Sequence, residues 1–216
     1  MTDQPLRIGV ALFPGFQALD VFGPLDCLNA LSKLHPLTLT LLSSTLDPIS
    51  TAHPAYPTAI SQSILPTSTY KTAPPLDVLF VPGGQGARDS TPEILEVLDF
   101  IATVYPSLKY LITVCTGSGL AARAGVLDGK RATTNKRAWK DTTAVRDAVI
   151  WVPRARWVVD GRIWTSSGVS AGIDVTLAWM KEVLGEEVAN EISERLEYTR
   201  QTDSSVDAFA ELYGLV

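Results

Sequence analysis

The chain has 216 residues, of which 46% are hydrophobic and 19% are charged, and its formal net charge is -5 at pH 7. This balance is typical of a folded globular protein and excludes long disordered segments. The negative charge argues against nucleic acid as a main partner, because phosphate binding needs a basic surface. No apolar run reaches the roughly 18 residues of a membrane span, and the first residues lack the pattern of a secretory signal. We therefore expect a cytoplasmic protein without a membrane segment.

Strands and helices alternate along the first half of the sequence. The apolar run from Arg7 to Phe13 predicts a buried strand that ends at a Pro-Gly turn. Helical spacing follows from Ala18 to Lys33, with a kink or a break expected at Gly23-Pro24. A second strand is predicted from Leu37 to Ser43. The segment from Leu46 to Pro75 is rich in Ser, Thr and Pro, which predicts short strands and loops.

The second half continues the alternation. Leu76 to Val81 predicts a strand that runs into the glycine turn at Gly83-Gly84, and a Thr-Pro-Glu start signal predicts a helix from Thr91 to Tyr105. Later elements are predicted as a short strand at Lys130–Thr134, a hairpin at Trp157–Trp164, helices at Gly172–Leu184 and Glu186–Tyr198, and a tail, Asp203–Val216, anchored by Phe209, Leu212 and Tyr213. This order indicates a mainly parallel sheet with helices on both faces.

The segment from Tyr110 to Gly125 carries the candidate nucleophile. An apolar, β-branched run ends at Cys115, and a Thr-Gly-Ser-Gly turn then opens an alanine-rich helical pattern. This strand, turn and helix parallel the nucleophile elbow of serine hydrolases. The helix start is expected to favour the thiolate of Cys115. The alternative is a small buried core residue, the role expected for Cys27.

Three segments fall at the carboxyl ends of predicted strands, where open parallel sheets bind ligands. They are Cys115, the glycines Gly83 and Gly84, and the Pro-Gly turn that leads to Asp20. We expect them to converge on one pocket. Asp20 has the alternative role of a helix cap.

Four sequence blocks occur in an order and spacing that resembles a known family. The blocks are Val81-Pro-Gly-Gly84, Val114-Cys-Thr-Gly-Ser118, Arg131-Ala-Thr-Thr134 and Ser167-Gly-Val-Ser-Ala-Gly-Ile-Asp174. The chain resembles the ThiJ/PfpI superfamily, and within it the branch of isocyanide (isonitrile) hydratases and the amidotransferase-like domains of AraC-type regulators. The resemblance implies a flavodoxin-like three-layer sandwich with a nucleophile elbow, formed by a single class I glutamine amidotransferase-like domain over residues 1–216. It also implies a homodimer that needs no cofactor and no metal.

The same resemblance assigns roles to individual residues. Leu19-Asp-Val-Phe-Gly-Pro24 matches a motif of the branch, so Asp20 takes the place of the carboxylate near the nucleophile. Cys115 takes the place of the nucleophile and Thr116 that of its hydroxyl neighbour. The backbone N–H groups of Thr116 and Gly84 are expected to face the substrate, with Gly83 completing the turn. One departure is Asn135, where relatives commonly have histidine.

The histidine content limits the reactions that Cys115 could carry out. Both His35 and His53 lie in or beside proline-rich connections, away from the motifs. Proteases and glutamine amidotransferases that use cysteine usually need a histidine partner, and glyoxalase-like activities commonly do as well. The resemblance implies instead that a small isocyanide is the substrate. Cys115 would attack it to give a thioimidate, Asp20 would act as general acid and base, and water would release an N-substituted formamide.

Two alternatives from other classes remain. A redox-sensing or stress-protective protein would use an oxidisable Cys115 without turnover. A glyoxalase-like activity is the second alternative. The sensor half of a transcription regulator is disfavoured, because the sequence ends soon after the predicted α/β domain.

Overall fold

The computed structural model describes residues 5–216 and contains the predicted alternation of strands and helices. The strands are β1 Leu6–Ala11, β2 Leu37–Ser43, β3 Ile49–Ser50, β4 Ser63–Ile64, β5 Ser68–Thr69, β6 Val78–Val81, β7 Tyr110–Thr113, β8 Arg131–Ala132, β9 Ile150–Trp151, β10 Trp157–Asp160 and β11 Ile163–Ser166. The α-helices are α1 Ala18–Leu31, α2 Pro92–Val104, α3 Gly117–Arg123, α4 Trp139–Thr143, α5 Ala171–Leu184, α6 Glu186–Arg195 and α7 Ala208–Leu212.

Seven strands form the central sheet in the order β10-β11-β7-β6-β1-β2-β5. All neighbours are parallel except β10 and β11, which form the predicted antiparallel hairpin. Helices α1, α5 and α6 pack together, and α2, α3 and α4 form a second group. This arrangement is the predicted flavodoxin-like three-layer sandwich. The four residues of β6 are all buried, as expected for a central parallel strand covered on both faces.

Helix α1 continues through Gly23 and Pro24, so the break that was one of the two expectations does not occur. Both residues are buried against α5. A Cβ at Gly23 would lie 2.9 Å from Cγ1 of Ile173, and the Cγ atom of Pro24 is 3.5 Å from where a Cβ on Gly172 would lie. Close helix packing therefore outweighs the local cost of proline inside a helix. Cys27 of the same helix is a free, fully buried core residue, as predicted.

The C-terminal tail packs, but the predicted apolar anchors are wrong. The side chains of Phe209, Leu212 and Tyr213 are 49%, 69% and 44% exposed, whereas Asp207 is buried. The Asp207 carboxylate lies 3.4 Å from Nζ of Lys136, and both side chains are almost completely buried. A buried ion pair thus anchors the tail, and hydrophobic periodicity gives no signal for such a contact.

The same buried lysine holds the loop that follows β8. Its ammonium group donates to the hydroxyl of Thr133 at 2.6 Å and to the carbonyls of Thr134 and Ala155 at 3.1 and 3.0 Å. Burial lowers the pKa of Lys136 to about 8, although the charge of Asp207 works against this shift. Residues 133–136 are therefore tied to the tail through Lys136.

None of the helices within residues 5–216 is long and apolar enough to cross a membrane. No group of three or more His, Cys, Asp or Glu side chains in this part of the chain is arranged to hold a metal ion. Residues 1–4, on which the expectation about a secretory signal partly depends, lie outside the described residues.

Candidate active site

Cys115 lies at a sharp turn between β7 and α3, as the sequence predicts. Its φ angle is 57°, a left-handed conformation that is uncommon for a residue other than glycine. The neighbouring glycines are required by close backbone contacts. A Cβ at Gly117 would lie 2.2 Å from the carbonyl oxygen of Val81, and one at Gly83 would lie 2.5 Å from the amide nitrogen of Thr116. The glycines allow the ends of β6 and β7 to approach and present the cysteine at the strand ends.

Three donors surround the sulfur atom of Cys115, which is 5% exposed. The side-chain amide of Asn135 donates to Sγ at 3.1 Å. The orientation of this amide is fixed, because its oxygen accepts a 3.0 Å hydrogen bond from the N–H of Ala138. The backbone N–H groups of Thr116 and Val169 also face the sulfur and lower the pKa of the thiol. Asn135, which departs from the pattern of the resembling family, is therefore in direct contact with the candidate nucleophile.

Asp20 lies beside Cys115 and is 2% exposed. One carboxylate oxygen, Oδ2, accepts a 2.9 Å hydrogen bond from the N–H of Gly83. The other, Oδ1, has no N–H or O–H donor within residues 5–216. The thiol of Cys115 is the remaining neighbour that can donate to the carboxylate. Burial raises the pKa of Asp20 to about 7, and the hydrogen bonds from Gly83 and Cys115 offset part of this effect.

The pKa of Cys115 is raised to about 12, first by burial and then by the negative charge of Asp20. The N–H of Thr116 at the helix start lowers this pKa, as expected, but it does not make the thiolate the dominant form. The hydrogen bonds to the sulfur lower the pKa, but burial and the carboxylate outweigh them. A thiol with this pKa is protonated at neutral pH, so it needs a base before it can act as a nucleophile. Asp20 is the adjacent group that can accept the proton.

The predicted convergence of three strand ends is confirmed. The N–H of Gln17 donates to the carbonyl of Gly83 at 2.8 Å, and Phe16 pairs with Gly84 in an isolated bridge. The backbone N–H of Gly84, which was expected to face the substrate, instead donates to the hydroxyl of Thr116 at 3.0 Å. This bond, and a 3.3 Å bond from the same hydroxyl to the carbonyl of Gly84, link the two turns.

A cavity of about 570 Å³ opens onto Cys115. Residues from segments 15–18, 51–62 and 84–88 line it, together with Thr116, Asn135, Arg137 and Val169. His53 lies on this wall, with Nε2 at 2.9 Å from Oδ2 of Asp89. No pattern in the sequence places His53 near the site, because the path of the Ser/Thr/Pro-rich segment is set by tertiary packing. Val169 belongs to the Ser167–Asp174 block, but its contact with the sulfur has no sequence signal.

Comparisons with known proteins agree with this geometry. Residues 6–182 match the sequence pattern of the DJ-1/PfpI family. The chain is 36% identical over 193 residues to an isonitrile hydratase of Pseudomonas putida, an alignment that covers 89% of this chain and 78% of that protein. It is 32% identical over 130 residues to the HTH-type transcriptional regulator GbdR of Pseudomonas aeruginosa, covering 59% of this chain and 34% of the regulator. The chain thus matches about a third of the regulator's length.

Solved structures show the same fold. A ThiJ/PfpI family protein from Pseudomonas syringae superposes with a TM-score of 0.76 at 26% identity, covering 98% of this chain and 84% of that one. Drosophila melanogaster DJ-1beta superposes with a TM-score of 0.72 at 19% identity, covering 91% of this chain and all of the other. The elbow at Cys115, the family match over residues 6–182 and these superpositions lead to one conclusion: the chain belongs to the DJ-1/PfpI family.

Proposed function

We propose that this protein is a cofactor-independent isonitrile hydratase that converts an isocyanide into an N-substituted formamide. The observation that carries the proposal is a protonated thiol, Cys115, paired with a buried carboxylate, Asp20, at a cavity. The 36% identity to an isonitrile hydratase over most of the chain supports the substrate class. Isocyanide hydration suits a thiol and carboxylate pair, because no amine leaving group has to be protonated.

The first half of the reaction forms a covalent intermediate. Ionised Asp20 takes the proton of Cys115 while Sγ attacks the terminal carbon of R–N≡C and forms a C–S bond. Asp20 then returns the proton to that carbon, which gives the thioimidate R–N=CH–S–Cys. The donors from Asn135, Thr116 and Val169 stabilise the charge on the sulfur as the proton leaves.

The second half releases the product. Asp20 accepts a proton from a water molecule and passes it to the nitrogen as the water oxygen adds to the thioimidate carbon, which gives R–NH–CH(OH)–S–Cys. Asp20 then takes the hydroxyl proton of this adduct as the C–S bond breaks, returns that proton to the sulfur, and R–NH–CHO leaves. One isocyanide and one water give one formamide, and the enzyme returns to its starting state.

The geometry gives less support to a redox-sensing role. Cysteines that oxidise readily are exposed and have a lowered pKa. The sulfur of Cys115 is buried and its pKa is raised. A glyoxalase-like role also has weak support, since His53 lies on the cavity wall but is bonded to Asp89.

The direct test is formamide production from para-nitrophenyl isocyanide. The wild-type protein is expected to turn the substrate over, and Cys115→Ala is expected to lose at least about a thousandfold in kcat. Cys27→Ala removes the other free thiol from the core and serves as the matched control, with activity retained. A folded wild-type protein without turnover, or an active Cys115→Ala variant, would refute the proposal.

The activity should depend on pH in a defined direction. Asp20 must be ionised to accept the thiol proton, and its pKa is about 7. We therefore expect kcat/KM for a neutral isocyanide to rise with pH through about 7 and to fall about tenfold per pH unit below it. The measurement is kcat/KM as a function of pH from about 5.5 to 9, with enzyme-free blanks for uncatalysed hydrolysis. A rate that is constant or declines between about pH 6 and 8 would exclude Asp20 as the base.

A further inference from the structure

The cavity above Cys115 has two arginines in its wall and no carboxylate. Arg88 and Arg137 line it, whereas no aspartate or glutamate within residues 5–216 does so. Asp89 follows Arg88 directly, but its Oδ2 lies 2.9 Å from Nε2 of His53. Asp20 is buried beside the sulfur and is not part of the wall. The wall is therefore positively charged, although the chain as a whole has a formal charge of -5.

These arginines differ from most others in the chain because their guanidinium groups have no hydrogen-bond or ion-pair partner within residues 5–216. Eight other arginines have such partners: Arg7, Arg123, Arg146, Arg154, Arg156, Arg162, Arg195 and Arg200. Arg131 also lacks a side-chain partner, but it lies outside the cavity. Two of the three arginines without such a partner thus line one cavity, the one that leads to Cys115.

We propose that the substrate is an isonitrile with a carboxylate, which Arg88 and Arg137 bind while the isocyano carbon reaches Cys115. This inference rests on the proposed hydratase function. A guanidinium group presents paired donors that match the two oxygens of a carboxylate. A positive wall without a competing carboxylate also attracts anions and orients them on approach.

The shape and lining of the cavity fit such a molecule. Its volume of about 570 Å³ is far larger than an isocyano group alone needs, so the substituent of the substrate occupies most of it. Tyr56 and Ile60, which are both exposed, supply apolar surface for the body of that substituent. The reacting carbon lies at the sulfur, and the carboxylate lies at the exposed arginines.

The test compares 4-(isocyanomethyl)benzoate with the corresponding uncharged primary amide. In both compounds a methylene group separates the isocyano group from the ring that carries the carboxylate or the amide. At low salt, kcat/KM for the carboxylate is expected to exceed that for the amide by about tenfold, mainly through KM. The advantage should shrink to about twofold at roughly 0.5 M NaCl, because salt screens exposed charges. Uncatalysed rates of both compounds are subtracted.

Variants locate the effect. Arg88→Gln and Arg137→Gln should each reduce the preference for carboxylate over amide by about threefold. The double variant should abolish it. Arg131→Gln is the matched control, since it removes an equally exposed arginine that does not line the cavity.

The outcomes separate this inference from the proposed function. Turnover of both compounds without a preference for the carboxylate, or a preference that survives in the double variant, would overturn the inference and leave the hydratase function intact. No turnover of either compound or of para-nitrophenyl isocyanide would overturn both. If Arg131→Gln reduces the preference as much as Arg88→Gln or Arg137→Gln does, the preference arises from the overall charge of the protein. That result would also overturn the inference.

Discussion

Asp20→Asn is expected to lower kcat for isonitrile hydration by about 10²- to 10⁴-fold, the usual contribution of a positioned acid-base group. The asparagine can still accept the hydrogen bond from the N–H of Gly83, but it cannot take the proton of Cys115. The residual rate should also lose its dependence on pH near 7. Steady-state kinetics from about pH 6 to 9 measure both effects.

Stability measurements distinguish a catalytic role of Asp20 from a structural one. The folded state raises the pKa of Asp20 from 3.8 to about 7, so it holds the proton more tightly than the unfolded chain does. This contribution to stability is complete below the unfolded pKa and is lost as pH rises through the folded pKa. As the pH rises from about 4 to 7, the free energy of unfolding should therefore fall less for Asp20→Asn than for the wild type. An inactive variant that is also unfolded would indicate a structural role, and a variant with near wild-type activity would exclude Asp20 as the base.

Asp207→Ala is expected to destabilise the protein by about 3–5 kcal/mol at neutral pH, because it leaves the charge of Lys136 buried without its partner. The loss should be smaller at about pH 9, since burial lowers the pKa of Lys136 to about 8 and the amine can shed its proton. Urea unfolding followed by circular dichroism measures the change.

Glu211→Ala is the matched control, in the helix that Asp207 caps. Glu211 pairs with Arg154 at 2.7 Å, but both side chains are more than half exposed. Such pairs contribute about 0–1 kcal/mol, so this substitution should change stability little. If Asp207→Ala falls within the range of the control, the buried pair does not anchor the tail.

The framework of the site could be predicted because local patterns specify it. The apolar strand before Cys115 and the glycines after it require a sharp turn, and parallel strands bring their carboxyl ends to one edge. Gly83 and Asp20 were placed near the cysteine on that basis, and the structure brings them together. The apolar spacing of Gly172–Leu184 likewise predicts helix α5.

The electrostatics of the site could not be predicted, because they depend on contacts between distant segments. The pKa of Cys115 is set by burial and by the position of Asp20, which outweigh the helix start next to it. Asn135 was recognisable only as a departure from a family pattern, and its bond to the sulfur depends on the loop after β8. His53 reaches the cavity wall through a segment with no regular periodicity.

The ion pair between Lys136 and Asp207 has a consequence for the boundaries of the functional unit. Asp207 lies beyond residues 6–182, the part that matches the family pattern, yet its partner holds the carbonyl of Thr134 next to Asn135. A chain trimmed to the matching part would retain Cys115, Asp20 and Asn135, but it would lose the carboxylate that pairs with Lys136. The position of Asn135 at the sulfur would then depend on whether the unpaired amine of Lys136 is protonated. The structural unit that holds Asn135 in place therefore includes Asp207, far from the sulfur in the sequence.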